Sequence, residues 1–247
     1  MGVFTMAAYN SDQWQEIQER KPGVKILARI SGTPTIAYFK YRANDDVGPV
    51  NGNEFIAYQL AEKVGLPVPK TDFLKFGERL GTVSFMVPGD ANLWSVFPHK
   101  NALEYSLAEF GELGLLVVFD LWIYNIDRHQ DNLMYSKIAG EEKYRFFAID
   151  HGHSLYGASK SPPVNFGDFN LDNLVRIQEF RELFSKGFDF FGHYVEKVAG
   201  IKDYDIVEIV NSVPREFMGD GEKKVVIDML IQRQKALPEV LQSFCSK

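Results

Sequence analysis

Apolar and polar positions alternate in the first third of the chain, and this pattern predicts two β-hairpins. Their strands are expected at 24–30, 35–41, 71–76 and 80–87. Apolar positions at helical spacing predict a helix at 53–64, which ends where a glycine and two prolines follow. A further helix is expected at 11–20, with Ser11 as its N-cap and the Pro22-Gly23 pair as its stop signal.

From residue 103 onwards the apolar positions become dense and helical in spacing, which predicts a mainly helical second part. Its helices are expected at 103–124, 171–185, 188–199, 203–211 and 222–243. Two short apolar runs, 133–136 and 144–149, are separated by a turn and predict a third hairpin. Basic residues of the last helix are expected to face solvent: Lys223, Lys224, Arg233 and Lys235.

The composition is that of an ordinary soluble globular protein, with 45% hydrophobic and 24% charged residues. A chain of 247 residues can form one large domain or two lobes of one enzyme. The net charge of −6 argues against a broad nucleic-acid-binding surface. The single cysteine excludes an intramolecular disulfide and a thiolate zinc cluster. No signal peptide or transmembrane segment is visible, so we expect a cytoplasmic protein.

Polar residues cluster directly after the helix predicted at 103–124, in the segment N-I-D-R-H-Q-D-N. A hairpin that starts just after this loop can bring Asp150 back beside Asn132, with Asp127 close to both. Carboxylate and amide oxygens suit Mg²⁺, and phosphoryl transfer mainly needs positioning and charge neutralisation. The spacing therefore predicts a phosphoryl-transfer site. The alternative for any one of these residues is an ordinary helix cap and turn.

Lys40 lies inside an otherwise apolar strand, where a lysine is seldom buried without a partner. Alternation puts Tyr38 and Lys40 on one face of the strand, and Phe39 and Tyr41 on the other. Glu54, in the first turn of the next predicted helix, is the expected partner. Such a pair could hold the lysine against nucleotide phosphates. The alternative for Glu54 is an acid that interacts only with its own helix dipole.

Two further segments are candidates for nucleotide binding. Ser31 and Gly32 join the strands of the first hairpin and could close over phosphates through their backbone N–H groups. An ordinary hairpin turn is favoured if this feature is taken alone. Phe85, Met86 and Val87 are interpreted as a hinge between two lobes, whose backbone could bond an adenine edge. A plain inner strand is the alternative for that segment.

With these residues in view, the chain resembles the small HipA-like kinases, a bacterial branch of the protein-kinase-like superfamily. The similar segments are N-E-F-I-A-Y-Q-L-A-E-K-V-G-L-P-V-P, N-I-D-R-H-Q-D-N-L and F-A-I-D-H-G-H-S. The D-R-H-x-x-N segment also looks like that of phosphoinositide kinases. The resemblance implies an α+β, two-lobed protein-kinase-like fold, with a small β-rich N-lobe at 1–87 and a mainly helical C-lobe at 88–247.

The same resemblance implies ATP and Mg²⁺ as cofactors and assigns roles to individual residues. Asp127 would be the catalytic acidic residue, with Arg128 and His129 in the same catalytic cluster. Asn132 and Asp150 would be the metal ligands, while Lys40 and Glu54 would hold the phosphates. His151 stands where the D-F-G motif of protein kinases has phenylalanine, and no A-P-E segment is present. An activation-loop switch of the eukaryotic kind is therefore not expected.

The leading hypothesis is a Mg-ATP-dependent phosphotransferase that acts on a protein serine or threonine hydroxyl. A lipid head group, a sugar or an antibiotic is an alternative acceptor, although the acidic balance disfavours a lipid kinase. A nucleotide-binding pseudokinase or interaction protein is a further alternative, and retention of every expected polar residue speaks against it. Nucleotidyl transfer stays open, because similar residues can bind ATP reversed. The expected partners are ATP and an unidentified protein or small-molecule acceptor.

Overall fold

The computed structural model describes residues 13–30, 35–41, 49–86, 111–156, 180 and 183–245. The amino-terminal elements are β1 (Trp14–Lys21), β2 (Val24–Arg29), β3 (Ile36–Tyr41), α1 (Val50–Val64), β4 (Thr71–Phe76) and β5 (Arg79–Phe85). The remaining elements are α2 (Glu112–Trp122), β6 (Leu133–Lys137), β7 (Tyr144–Ala148), α3 (Phe188–Ala199), α4 (Asp203–Asn211) and α5 (Asp220–Cys245). None of the helices in these ranges is both long and apolar enough to cross a bilayer. The protein thus has a sheet-rich first part and a helical second part.

The five strands of the first part form one antiparallel sheet in the order β1-β2-β3-β5-β4. Both amino-terminal hairpins predicted from the alternating pattern are confirmed, and β6 pairs with β7 as the third. The helix predicted at 11–20 is wrong, because Trp14–Lys21 is the edge strand β1. Only Trp14 of β1 is buried, so the strand carries almost no apolar pattern of its own. Its backbone bonds to β2 decide the conformation, which local helix propensity cannot anticipate.

Strand β3 has two different faces, as its alternation predicts. Phe39 and Tyr41 are buried with Leu27 and Val83 in a small core on one side of the sheet. Lys40 lies on the side that carries α1, where the side-chain amide of Asn51 donates to the Lys40 carbonyl oxygen at 2.9 Å and to Thr82 Oγ1 at 3.1 Å. The lysine therefore projects between the sheet and the rest of the protein.

Helix α1 packs closely against both the sheet and the helical part. Gly52 lies so close to the helical part that a Cβ atom there would meet Met218 Cε at 3.2 Å. An aromatic stack continues the contact, with ring centroids 4.5 Å apart for Phe55 and Phe73 and 4.4 Å apart for Phe73 and Phe217. This packing holds the position of α1 and hence of Glu54, which lies in its first half.

Helix α5 supplies buried donors to the carboxyl ends of three other helices. Arg233 Nε donates to the Trp122 carbonyl oxygen of α2 at 2.9 Å, and its Nη2 donates to that of Leu121. Gln234 Nε2 donates to the carbonyl oxygens of Val198 at 2.7 Å and Ile201 at 3.0 Å, at the end of α3. The last carbonyl groups of a helix lack partners within it, so these side chains complete their hydrogen bonding.

Lys223 likewise donates to carbonyl groups at the carboxyl end of α4, because its ammonium group contacts the carbonyl oxygens of Asn211 and Val213. The prediction that the basic residues of the last helix face solvent is therefore wrong for Lys223 and Arg233, which are buried. It is confirmed for Lys224 and Lys235, which are exposed. The buried pair is tolerated because each cation has carbonyl acceptors around it.

Candidate active site

The loop that follows α2 is held by a buried ion pair. Asp120, in the last part of α2, accepts from Arg128 Nε at 2.7 Å and from Arg128 Nη2 at 3.1 Å, and neither side chain is exposed. Asn125 Nδ2 also donates to Asp120 Oδ1, at 2.9 Å. Two parallel N–H bonds to one carboxylate fix the guanidinium plane as well as its position. The loop thus has a rigid anchor beneath it.

Arg128 uses its remaining donors to join the loop to the segment after β7. Its Nη1 donates to the carbonyl oxygens of Asn132 at 2.8 Å and Ile149 at 3.0 Å. Its Nη2 lies 2.9 Å from His151 Nε2. The guanidinium group is fully buried, and these contacts hold the loop and the segment after β7 together.

His151 is a neutral acceptor in this arrangement. Burial, and then the neighbouring Arg128 charge, lower the pKa of His151 well below its usual range. Since arginine can only donate, the lone pair of Nε2 accepts and the ring proton is on Nδ1. Phe119 packs edge-on against the ring, with centroids 5.9 Å apart. The histidine at the position of the D-F-G phenylalanine is therefore held by Arg128 and Phe119.

Asp127 and Asn132 are tied to each other through the main chain. Asn132 Nδ2 donates to the Asp127 carbonyl oxygen at 2.9 Å, and the Asp127 N–H donates to Asn125 Oδ1 at 3.1 Å. The first bond orients the Asn132 amide and commits its NH₂ group, so that its oxygen is the atom left for a ligand. Asp127 itself is half-buried, with its backbone fixed on both sides.

Asp150 is brought to this loop by the β6–β7 hairpin. The Ile149 N–H donates to the Asn132 carbonyl oxygen at 3.0 Å, so the residues flanking the two ends of the hairpin are neighbours. Asp150 has a φ of 59°, a left-handed conformation that aspartate tolerates better than most residues. Its side chain is 40% exposed and lies 2.8 Å from Lys40 Nζ, measured to Oδ1.

Lys40 also pairs with Glu54, at 3.4 Å between Nζ and Oε1. Burial by itself would lower the pKa of Lys40, but Glu54 and Asp150 outweigh it and raise the pKa above its usual value. Burial also raises the pKa of Glu54, against the opposing influence of Lys40. For Asp150 the order reverses, because the attraction of Lys40 overcomes burial and lowers its pKa. The ammonium group is therefore charged and shared between two carboxyl groups.

Gly152 permits α1 to approach the segment after Asp150. A Cβ atom at Gly152 would lie 2.5 Å from Val50 Cγ1 and 3.4 Å from Glu54 Oε2. Asn53 Nδ2 secures the approach by donating to the carbonyl oxygens of Gly152 at 3.2 Å and Tyr156 at 2.9 Å. Within the described ranges Glu54 Oε2 has no hydrogen-bond partner, although it is buried.

Comparisons with known proteins relate this chain to kinases. The family described as phosphatidylinositol 3- and 4-kinase matches residues 93–200. The structure of the proinflammatory kinase CtkA of Helicobacter pylori superimposes with a TM-score of 0.61 at 14% identity, over 95% of this chain and 96% of that chain. HipA of the Shewanella oneidensis MR-1 toxin–antitoxin system, solved with HipB and operator DNA, gives 0.56 at 11% identity, over 98% and 70% of the respective chains. No curated protein sequence matches significantly.

The chain has a HipA-like kinase fold. This confirms the predicted α+β architecture, with a small sheet-rich amino-terminal part and a helical carboxyl-terminal part. In this kinase fold Lys40 contacts both Glu54 and Asp150. His129 is different, because its ring is half exposed and its nearest described acid is Asp131, with Nδ1 and Oδ2 3.9 Å apart.

A turn missed by the sequence interpretation lies beside Lys40 in this kinase fold. Val24 is the partner of Lys40 in the β2–β3 register, and the Tyr41 N–H donates to the Gly23 carbonyl oxygen at 2.9 Å. Gly23 has a φ of 85°, as the third residue of a type II turn requires, and proline precedes it. The Pro22-Gly23 pair, interpreted as a helix stop, is therefore the turn nearest the lysine.

Ser31 and Gly32, the predicted phosphate-covering residues, lie outside the described residues. The ends of β2 and β3 nearest to them are described, and there Ala28 pairs with Ile36 while the Arg29 N–H donates to the Thr35 carbonyl oxygen. Ile36 is four residues from Lys40 along β3, a separation of about 13 Å in a strand. Among the described residues of this hairpin, it is the end beside the β1–β2 turn that lies next to Lys40.

The structure describes two of the three residues predicted as the hinge. Val87 lies outside the described residues, whereas Phe85 ends β5 and Met86 follows it. The Phe85 N–H donates to the Lys70 carbonyl oxygen at 2.9 Å, and the Met86 N–H donates to that of Ile36 at 2.8 Å. An adenine contact from these two residues would therefore use their carbonyl groups, since both N–H groups are engaged in the sheet.

Proposed function

We propose that this chain is a Mg-ATP-dependent phosphotransferase and that its acceptor is a serine or threonine hydroxyl of a protein. One observation carries the proposal: Lys40 Nζ lies 2.8 Å from Asp150 Oδ1 and 3.4 Å from Glu54 Oε1. Lys40 belongs to strand β3 and Asp150 follows strand β7 of a distant hairpin. Glu54 belongs to α1, the only helix that the structure describes between the strands of the sheet. Such a cluster in a HipA-like kinase fold suits the binding of nucleotide phosphates.

Asn132 and Asp150 would hold Mg²⁺, and their chemistry fits the ion. Asn132 offers an amide oxygen, because its NH₂ group is committed to the Asp127 carbonyl, and Asp150 offers a carboxylate that is 40% exposed. Across the described residues there is no group of three or more His, Cys, Asp or Glu side chains that could form a complete metal site. Mg²⁺ commonly takes one or two protein oxygens and completes its shell with waters and phosphates. When bound, it neutralises charge on the phosphate oxygens.

The protein residues would divide the remaining work. Lys40 would exchange Asp150 for a phosphate oxygen, while Glu54 keeps the ammonium group in place. Asp127 would accept the proton of the acceptor hydroxyl, which requires a carboxylate within hydrogen-bonding reach of that group. Arg128 would act by holding Asn132, Ile149 and His151 around the site. This division keeps the reacting groups in a fixed geometry, which is most of what phosphoryl transfer needs.

Labelled nucleotides test the proposal directly. The protein is incubated with Mg²⁺ and either γ-labelled or α-labelled ATP, and modified residues are located by mass spectrometry. Transfer of the γ label to the protein or to an added serine or threonine peptide is the expected result. Transfer of the α label would instead show nucleotidyl transfer. ATP-dependent thermal stabilisation without any transfer would favour a pseudokinase.

The match to the phosphatidylinositol 3- and 4-kinase family supports a second candidate, a lipid or small-molecule kinase. The matched range includes the Asp127 loop and Asp150, but it does not include Lys40 or Glu54. The same assay separates the candidates when phosphatidylinositol vesicles, sugars and aminoglycosides are offered beside peptides. Label that partitions into the lipid fraction with none on peptide would favour the lipid kinase.

A further inference from the structure

Arg20 lies on the same side of the sheet as Lys40, although the two residues belong to strands that are not neighbours. Arg20 Nη1 is 3.4 Å from the Tyr38 hydroxyl oxygen, and its guanidinium carbon is 5.7 Å from the centre of the Tyr38 ring. Tyr38 and Lys40 are separated by two residues on one face of β3, which is about 7 Å along a strand. The guanidinium group therefore lies on the face of the sheet from which the Lys40 ammonium group projects.

Alternation along β1 places Arg20 on that face, because the preceding Glu19 pairs with Lys25, whose partner in β3 is Phe39 on the other face. The register of β1 with β2 shifts between Glu19 and Lys21, so Arg20 is the extra residue of a β-bulge. The bulge lets Lys21 pair with Val24, which is itself the partner of Lys40, and bulges are frequent next to active sites. The bulge is adjacent to the Pro22-Gly23 turn, which lies beside Lys40.

The local acids do not neutralise Arg20. Glu16 pairs with Lys25, and Glu19 accepts from the Tyr41 hydroxyl, which lies on the opposite face of the sheet. No carboxylate in the described part of the chain forms an ion pair with Arg20. An exposed arginine held against a tyrosine ring, beside a lysine that faces a carboxylate, leaves positive charge available to an anion.

We propose that Arg20 is a second phosphate-binding cation, supplied by the β1–β2 turn and contacting the polyphosphate chain of the nucleotide. This inference rests on the proposed function. The turn contains Pro22, which has no N–H group, so it offers fewer backbone donors than a glycine-rich phosphate loop. A guanidinium group with several N–H donors can replace those missing donors and bind phosphate oxygens in pairs.

The chain offers a matched control on the other face of the same sheet. Arg79 is also exposed and its guanidinium carbon lies 4.2 Å from the centre of the Tyr41 ring. Arg20→Met and Arg79→Met therefore remove the same charge and the same kind of ring contact, but only Arg20 lies on the face of the sheet that carries Lys40. Arg20→Lys keeps the charge and loses the paired donors.

Calorimetric titration with Mg-ATP, Mg-ADP and adenosine tests the assignment. Arg20→Met is expected to weaken Mg-ATP binding by about 10- to 100-fold, the range of a hydrogen bond to a charged group. Adenosine should bind as it does to the unmodified protein, Arg20→Lys should fall between the two, and Arg79→Met should change neither ligand. Thermal denaturation without ligand verifies that each variant is folded.

Two outcomes would overturn the inference. Equal weakening of ATP and adenosine in Arg20→Met would mean that Arg20 only supports the Tyr38 ring. Unchanged ATP binding in Arg20→Met, while Lys40→Met loses it, would remove Arg20 from the site and leave the proposed function standing. Unchanged ATP binding in Lys40→Met as well would overturn the proposed function itself.

Discussion

The ammonium group of Lys40 donates to a carboxylate oxygen of Asp150 at 2.8 Å, although the two residues are 110 positions apart in the chain. Glu54 also contacts this ammonium group, and its side chain is buried whereas that of Asp150 is partly exposed. In the proposed site, a phosphate bound to Lys40 or a metal ion bound to Asp150 would separate these two residues while Glu54 stays buried. Because their exposures differ, we expect Lys40 to lose its contact with Asp150 when nucleotide binds and to keep its contact with Glu54.

Lys40→Met is expected to abolish ATP-induced stabilisation, and its cost to the ligand-free protein should depend on Glu54. Losing one partner of a buried ion pair typically costs about 3–5 kcal/mol, less any relief from protonation of the carboxyl group that remains. The double variant Lys40→Met/Glu54→Gln removes that uncompensated charge and should recover most of the stability, but not ATP binding. Thermal denaturation with and without Mg-ATP measures both effects. Full nucleotide stabilisation in either variant would contradict the phosphate-holding role.

Asp150→Asn tests the metal site better than a change to alanine. The left-handed φ of 59° costs an alanine roughly 1–2 kcal/mol, whereas asparagine accepts this conformation more readily. We expect a folded protein in which Mg²⁺ no longer strengthens ATP binding and turnover is lost. Nucleotide titrations at increasing Mg²⁺ concentration give the readout. A variant whose ATP affinity still rises with Mg²⁺ would rule out Asp150 as a ligand.

Asp127→Asn should separate proton transfer from nucleotide binding. The substitution keeps the side-chain shape, and the main-chain contacts with Asn125 and Asn132 do not involve the carboxylate. Loss of a general base typically lowers the rate by about 10²–10⁴-fold. We therefore expect the turnover number to fall by that amount with little change in the ATP dissociation constant, measured by steady-state kinetics and calorimetry. Collapse of ATP binding with a high residual rate would mean that Asp127 has another role.

Arg233→Met should destabilise the protein far from the site. It would leave the Trp122 carbonyl group without its donor, whereas the Leu121 carbonyl keeps a backbone donor in the Tyr124 N–H, and a buried unsatisfied group costs about 1–3 kcal/mol. The expected loss is therefore roughly 1–3 kcal/mol in the free energy of unfolding, measured by urea denaturation. Lys235→Met, an exposed change in the same helix, should stay within about 0.5 kcal/mol of the unmodified protein. Equal stability of both variants would contradict the capping role of Arg233.

Short-range patterns were sufficient for much of the fold. The hairpins were predicted because each strand pairs with its neighbour in the chain, and alternation records which residues share a face. The helix at 203–211 was predicted with the bounds the structure has. Strand β1 was predicted as a helix because its bonds to β2 leave no mark on the pattern of its own exposed side chains.

The candidate site divides in the same way. Lys40 was recognised in the sequence because a charged residue inside an apolar strand is costly to bury without a partner. Asp127, Asn132 and Asp150 were recognised by the spacing of a polar loop and the strand that follows it. Their catalytic roles stay predictions, whereas the contact of Lys40 with both acids is a property of the structure. Arg20 and the Pro22-Gly23 turn were not recognised, since an exposed arginine and a turn carry no local sign of what faces them.

The sequence by itself determined which segments are strands or helices wherever the pattern is periodic, and which polar residues need a partner. Tertiary structure alone decided which turn lies beside Lys40. The register of β2 with β3 pairs Lys40 with Val24, the residue directly after the Pro22-Gly23 turn. It also decided that Lys223 and Arg233 are buried. Their acceptors are backbone carbonyl groups at the ends of other helices. Because every residue has a carbonyl group, the pattern of side chains in a sequence cannot predict such a contact.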